Sequence, residues 1–269
     1  MTLVIRELER VESRVLGALR CVDASTRVAV DGPLQVSVPT ARIRRNRSGL
    51  HVITHAPSLE AHETAFQTPP VLPAVGSVPL TATVHDPLGR YLPRTAAFAL
   101  PRDPLPANAA LPGSLFRPIE VAMYPASVAP IGVNWSVLRA TVTDNTSGDA
   151  LGGALLLVTS GADIIARGLS DWRGEALVAV PGVPVTTWSD DPDAVVVTEI
   201  AVQVQAVFDP ATGTRTTAAD VLAGHAPETL PLVNPDVLEA QRATLPNATL
   251  PALLASGRSQ PLSFPLALP

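Results

Sequence analysis

At 269 residues, with 46% hydrophobic and 16% charged side chains, the chain has ample apolar material for a core and lacks the composition of a disordered segment. The length suits two ordinary domains, and a net charge of −5 at pH 7 disfavours a general nucleic-acid binder, which needs a basic face to displace counterions. All 19 basic residues are arginine, which excludes Schiff-base chemistry, a phosphate-loop lysine and a lysine–asparagine isopeptide crosslink.

The N-terminus runs from apolar Met1–Ile5 into Arg6, Glu7, Glu9, Arg10 and Glu12, the reverse of a secretory leader, so cytoplasmic synthesis is expected. No run approaches the roughly 18 apolar residues needed to cross a bilayer. With 28 Pro and 17 Gly scattered along the chain, long helix interiors have little room, and β-structure with turns is expected. Strands are expected at 15–24, 34–38, 41–45, 50–54, 78–85 and 95–100, with clear alternation in Leu80-Thr81-Ala82-Thr83-Val84-His85 before the turn Asp86-Pro87-Leu88-Gly89. Cys21 lies within an apolar strand and reads as a buried thiol with no disulfide partner. Pro101, Pro104, Pro106 and Pro112 suggest a stiff, extended linker over 101–113.

Further strands are expected at 119–123, 136–143, 154–159, 164–168, 175–180 and 195–208, with Gly168 to Glu175 as a β-connection. Leu19–Thr26 followed by Gly32 can be laid beside Leu138–Asp144 followed by Gly152, an internal repeat 119 residues apart. Each copy opens with a hairpin. After Asp209-Pro210 short helices are expected at 216–222 and from the cap Asn234-Pro235-Asp236 to Arg242. The remainder is rich in Leu and Pro, with Arg258 its only charge. A solvated tail is polar, so something should cover this one: its own domains or a neighbouring subunit. The organisation expected is all-β: two tandem antiparallel β-sandwiches at 1–106 and 119–210, a linker at 107–118, and an extended C-terminal arm at 211–269 with short helices.

His51 and His55, with His62 and Glu63 nearby, suggest a metal site, but a spacing of four along a strand separates the imidazoles by roughly 13 Å, too far for one ion. Asp190, Asp191 and Asp193 read as a solvated acidic turn rather than a calcium loop, even with Asp171 or Glu199 brought close. Ser48 and Ser170 sit in no nucleophile elbow, and no phosphate loop or dinucleotide fingerprint is present. No catalytic residue, cofactor or metal is assigned. The arginines Arg42, Arg44, Arg45 and Arg47 are a candidate partner contact, with Arg42 and Arg44 on one strand face. Leu245, Leu250, Leu253, Leu254, Leu262, Phe264 and Leu266 are the candidate contacts of the C-terminal arm. Trp135, Trp172 and Trp188 read as core or interface anchors.

The stretch Arg139 to Gly182, with Val142-Thr143-Asp144, Gly152 to Val158, Gly168 to Glu175 and Val180-Pro181-Gly182, resembles carboxypeptidase regulatory-like domains of the transthyretin-like and Cna-B-like kind. That resemblance implies a non-catalytic sandwich, and the missing lysine removes the crosslinking known in some Cna-B relatives. Pro79 to Arg94 resembles uncharacterised bacterial proteins associated with contractile phage-tail-like injection systems. Together these imply a non-enzymatic structural or adaptor subunit of a bacterial assembly, at a cap, baseplate or fibre, contacting other protein subunits through the arm. A carbohydrate or cell-surface recognition module is the alternative, and homo-oligomerisation stays open. Neither nucleic acid nor a membrane span is expected.

Overall fold

The computed structural model describes residues 15–65, 70–184, 187–188, 195–196 and 199–269. The described chain is mostly β, with 43% strand against 10% helix, arranged in several sheets, as the all-β expectation requires. In chain order the elements are β1 (Gly17–Asp23), β2 (Gln35–Ser37), β3 (Arg42–Arg45), β4 (His51–His55), α1 (Glu60–Thr64), β5 (Val78–His85), β6 (Arg94–Leu100), β7 (Ile119–Met123) and β8 (Ser136–Asp144). They continue with β9 (Ala150–Gly152), β10 (Leu155–Ser160), β11 (Asp163–Leu169), β12 (Glu175–Val180), β13 (Thr187–Trp188), β14 (Val195–Val196), β15 (Ile200–Val207), β16 (Thr214–Thr216), α2 (Ala218–Ala223), α3 (Pro235–Ala240), β17 (Asn247–Leu254) and β18 (Ser259–Leu266).

By compactness the chain divides into residues 1–20, 37–81 and 97–120 as a first unit, and 21–36, 82–96 and 121–269 as a second. The sheets β3-β4-β1-β7 and β2-β5-β6 are drawn from the strands up to residue 123. In the first unit Gly17, Ala18 and Leu19 pair antiparallel with Ile53, Val52 and His51, and β3 pairs with β4 in turn. Leu16, Leu19, Ile53, Leu59, Leu80 and Leu100 are buried there.

The second unit contains a sandwich made of the sheet β11-β10-β15-β17 and the sheet β12-β8-β9-β16, to which β18 adds along β8. Their inner faces share a core that includes Leu138, Val142, Leu156, Val178, Val204, Phe208, Leu254, Phe264 and Leu266. The uninterrupted run Leu155-Leu156-Leu157-Val158 in β10 reflects burial on both faces. Leu156 and Val158 enter the sandwich core, whereas Leu155 and Leu157 pack outward against Tyr124, Leu169, Val233 and Leu238. α3 supplies that outer cover: Pro235 occupies its first turn, and the Asn234 side chain accepts a hydrogen bond from the Asp236 N–H.

Residues 211–269 are therefore not an extended arm. β17 runs antiparallel to β15 from Asn247 opposite Val207 to Leu254 opposite Ile200, and β18 runs parallel to β8 from Ser259 beside Val137 to Leu266 beside Asp144. Both strands alternate strictly, with even-numbered side chains inward and odd-numbered ones exposed. The apolar excess that called for a cover finds it inside the same chain.

The repeated hairpin is present, with Asp23 equivalent to Asp144, which shifts the offset from 119 to 121 residues. In each, the Asp Oδ1 accepts from the N–H two residues on, that of Ser25 or Thr146, and the Asp main-chain carbonyl accepts from the N–H four residues on. That fourth position is left-handed in both, at φ 61° for Arg27 and 74° for Gly148. A second shared turn joins β5 to β6 and β11 to β12. Buried Asp86 and Asp171 each cap the N–H two residues on through Oδ1, and each accepts from the following glycine N–H through its carbonyl.

Candidate interaction surfaces

Residues 102–117 do not run extended as a linker; they close on themselves within the first unit. The Asp103 N–H donates to the Gly113 carbonyl at 3.0 Å, and the Leu115 N–H donates back to the Asp103 carbonyl at 2.8 Å. Arg102 fills the interior of this Ω-shaped loop. Its Nε donates to Ser114 O at 3.2 Å, and its Nη2 reaches Pro112 O at 2.5 Å, Ser114 O at 3.0 Å and Arg117 O at 3.2 Å. Asn108 Nδ2 donates to Asp103 Oδ2 at 2.6 Å, and Arg117 Nη1 donates to Ala110 O at 2.7 Å. Burial, then the charge of Arg117, lowers the pKa of Arg102 from its ordinary value. A half-buried guanidinium donating to several carbonyls ties the loop together.

The outside of that loop is apolar: Leu105, Leu111 and Phe116 remain 57%, 53% and 54% exposed. A neighbouring segment, tied to the loop by the Gly76 N–H donating to the Pro101 carbonyl, exposes Val71, Leu72 and Val75. Monomeric proteins seldom leave several large apolar side chains on adjoining loops unless something binds them. In the sequence this surface is hidden, because four prolines read as stiffness. The usable signal was Arg102 and Arg117 bracketing Asp103 and Asn108, residues that end chains in turns rather than extend them.

The candidate arginines Arg42, Arg44, Arg45 and Arg47 are exposed, the first three on β3 and the last in the turn leading to β4. A register shift between Arg42 and Ile43 places Arg42 opposite His55 and Arg45 opposite His51. Among the described residues none of the four makes an ion pair such as that of Arg167 with Glu239. His51 is buried, and burial followed by the Arg45 charge lowers its pKa from 6.5. His55 Nδ1 instead lies 3.0 Å from Glu63 Oε2, whose other oxygen accepts from the Ala56 N–H. No group of three His, Cys, Asp or Glu side chains converges among the described residues.

The candidate contacts at the C-terminus separate by burial. Leu254, Phe264 and Leu266 are fully buried in the sandwich core, and Leu250 and Leu262 pack half-buried against it. Leu245 packs on the outer cluster around Leu155 and Leu157. Only Leu253, 53% exposed, still offers a surface, because an intact core has none to give a partner. The remaining candidates are structural where described. Ser170 Oγ donates to Leu151 O and accepts from the Ala154 N–H, and Asp171 is held by Ser127 and Arg173. Glu199 meets Arg258 at 3.6 Å. Trp135 is half-buried over Gly132, and the Arg173 guanidinium covers half-buried Trp172. Asp190, Asp191, Asp193 and the side chain of Trp188 lie outside the described residues.

No helix among the described residues is long and apolar enough to cross a membrane. Compared with known proteins, the chain matches no family model, no curated protein and no solved structure.

Proposed function

We propose that this chain is a non-enzymatic structural or adaptor subunit of a multi-protein bacterial assembly, synthesised in the cytoplasm and built into a contractile phage-tail-like injection particle. In this reading the body consists of two tandem Ig-like sandwiches of the carboxypeptidase regulatory-like kind. The observation that supports it is the arginine-pinned loop at 102–117, which holds Leu105, Leu111 and Phe116 out in water. A loop ordered before binding avoids part of the entropy cost of association, and an exposed aromatic side chain is a common anchor of protein interfaces.

The test is a paired substitution, Leu111→Asp with Phe116→Asp, in a tagged chain expressed in its native host. The unmodified chain is expected to sediment with a high-mass complex, and the variant to keep its circular dichroism spectrum yet sediment as free protein. A native chain that sediments alone, or a variant that still enters the complex, rejects this reading.

A further inference from the structure

The two units differ in charge. The first carries 10 arginines and 7 acidic residues, a net of +3, while the second carries 9 arginines and 17 acidic residues, a net of −8, together the −5 of the chain. Four of the ten arginines of the first unit fall between residues 42 and 47, on and beside the terminal strand of the sheet β3-β4-β1-β7.

The direction of the β3 main chain follows from its hairpin. The Asn46 N–H donates to the Leu50 carbonyl, and the Thr54 hydroxyl donates to the Arg42 carbonyl, so the even-numbered residues of this segment face β4. Ile43 and Arg45 then point their N–H and C=O groups to the other side, where no described strand pairs with them. Arg42 and Arg44 stand on one face of this edge, and Ile43 and Arg45 on the opposite face. An edge strand without proline keeps its main-chain donors and acceptors, and the charged side chains it carries limit which strands can add to it.

We infer that β3 receives an extended acidic segment of a partner protein as an added strand. Pairing of two copies through β3 sets arginines against arginines, which like-charge repulsion disfavours. An incoming strand that alternates carboxylates with β-branched residues matches both faces: its carboxylates lie beside Arg42 and Arg44, and its apolar residues lie beside Ile43. The main-chain ladder supplies affinity and the arginines select the partner. This site is separate from the 102–117 loop, and the inference stands or falls in purified protein whether or not the assembly reading holds.

The probe is a fluorescent eight-residue peptide alternating glutamate and valine, titrated against the full chain by anisotropy. Expected is saturable binding that weakens between about 50 and about 300 mM salt. Arg42→Glu with Arg44→Glu is expected to lower affinity about tenfold or more, with an unchanged thermal midpoint because both side chains are exposed. Arg44→Gln, a milder change, is expected to weaken binding in the same direction. A lysine–valine peptide should not bind, and the glutamate–valine peptide with N-methylated valines should lose binding while keeping its charge. No binding of the glutamate–valine peptide, equal binding of its N-methylated form, or an unchanged affinity in the charge-reversed variant overturns the inference. So does sedimentation as a dimer through β3 in the absence of peptide.

Discussion

β17 and β18 end the two sheets of the second unit, as β3 ends one in the first, yet their edges carry different chemistry. In β18 the carbonyls of Arg258 and Leu266 accept from Val137 and Asn145, so even-numbered residues face β8 and the outward positions include Pro261 and Pro265. In β17 the Pro246 carbonyl accepts from the Phe208 N–H, and Pro251 falls on the outward side by the same alternation. The Leu253 N–H, another outward donor, is already bonded to Gln260 Oε1. Proline removes a donor whatever arrives, whereas arginine leaves the ladder intact and discriminates only by charge. The proline-bearing edges are blunted against any strand, and the arginine-bearing edge is open to some.

The contrast breaks most directly in the core. Phe264→Ala removes a fully buried ring from a proline-edged strand and is expected to cost about 3–5 kcal/mol, read as a lower denaturant midpoint. A cost below about 1 kcal/mol means that β18 is an appendage and that its edge closes nothing.

Arginine pairing sharpens the comparison next. Arg94 is buried in the second unit and donates to Thr95 O, Ala122 O and Asp236 Oδ2, while Arg167 makes a two-pronged contact with Glu239 at 2.7 and 2.9 Å. Hydrogen bonding from Arg167, acting against burial, holds the Glu239 carboxyl below its ordinary 4.5. A depressed acid contributes stability above its unfolded pKa and loses it as pH falls through the folded value. Glu239→Gln is therefore expected to cost about 1 kcal/mol or less at pH 7, given the partial exposure of both partners. Thermal midpoints of variant and parent should converge as the pH falls below 4.5. A gap that persists in acid rejects the pairing. Among the described residues the arginines of β3 have no such carboxylate to lose.

The smallest effect on stability is expected from Pro261→Val with Pro265→Val. Restoring two outward N–H groups should change stability by no more than about 1 kcal/mol. Self-association at high concentration should nevertheless rise, measured by light scattering. An unaltered scattering profile would falsify the role assigned to these prolines.

The sequence made most strands visible where apolar alternation met a glycine or aspartate turn, as at Leu80–His85 and at Gly168–Glu175. The helix beginning at Pro235 was equally legible from its cap. β17 and β18 were not, although Leu250, Ala252 and Leu254 alternate with exposed Pro251 and Leu253, and Leu262, Phe264 and Leu266 with exposed Ser263 and Pro265. Pro251, Pro261 and Pro265 at exposed positions of that alternation looked like a stiff arm, because nothing local says that a strand lies at an edge. Likewise, four prolines concealed the closure around Arg102, which depends on carbonyls up to 15 residues away. Side-chain type announced the β3 arginines, while the direction of their main chain required the hairpin.

The parallel pairing of β18 with β8 has a consequence for synthesis. Asp144 meets Leu266, which leaves the ribosome 122 residues later, a delay of roughly 6–24 s at ordinary translation rates. Throughout that interval the nascent sandwich has an unfilled slot where Phe264 and Leu266 belong and a β8 flank without its neighbour. The vulnerable species in this protein is thus the growing polypeptide, and slower elongation across residues 145–258 should prolong its exposure to chaperones and to misassembly.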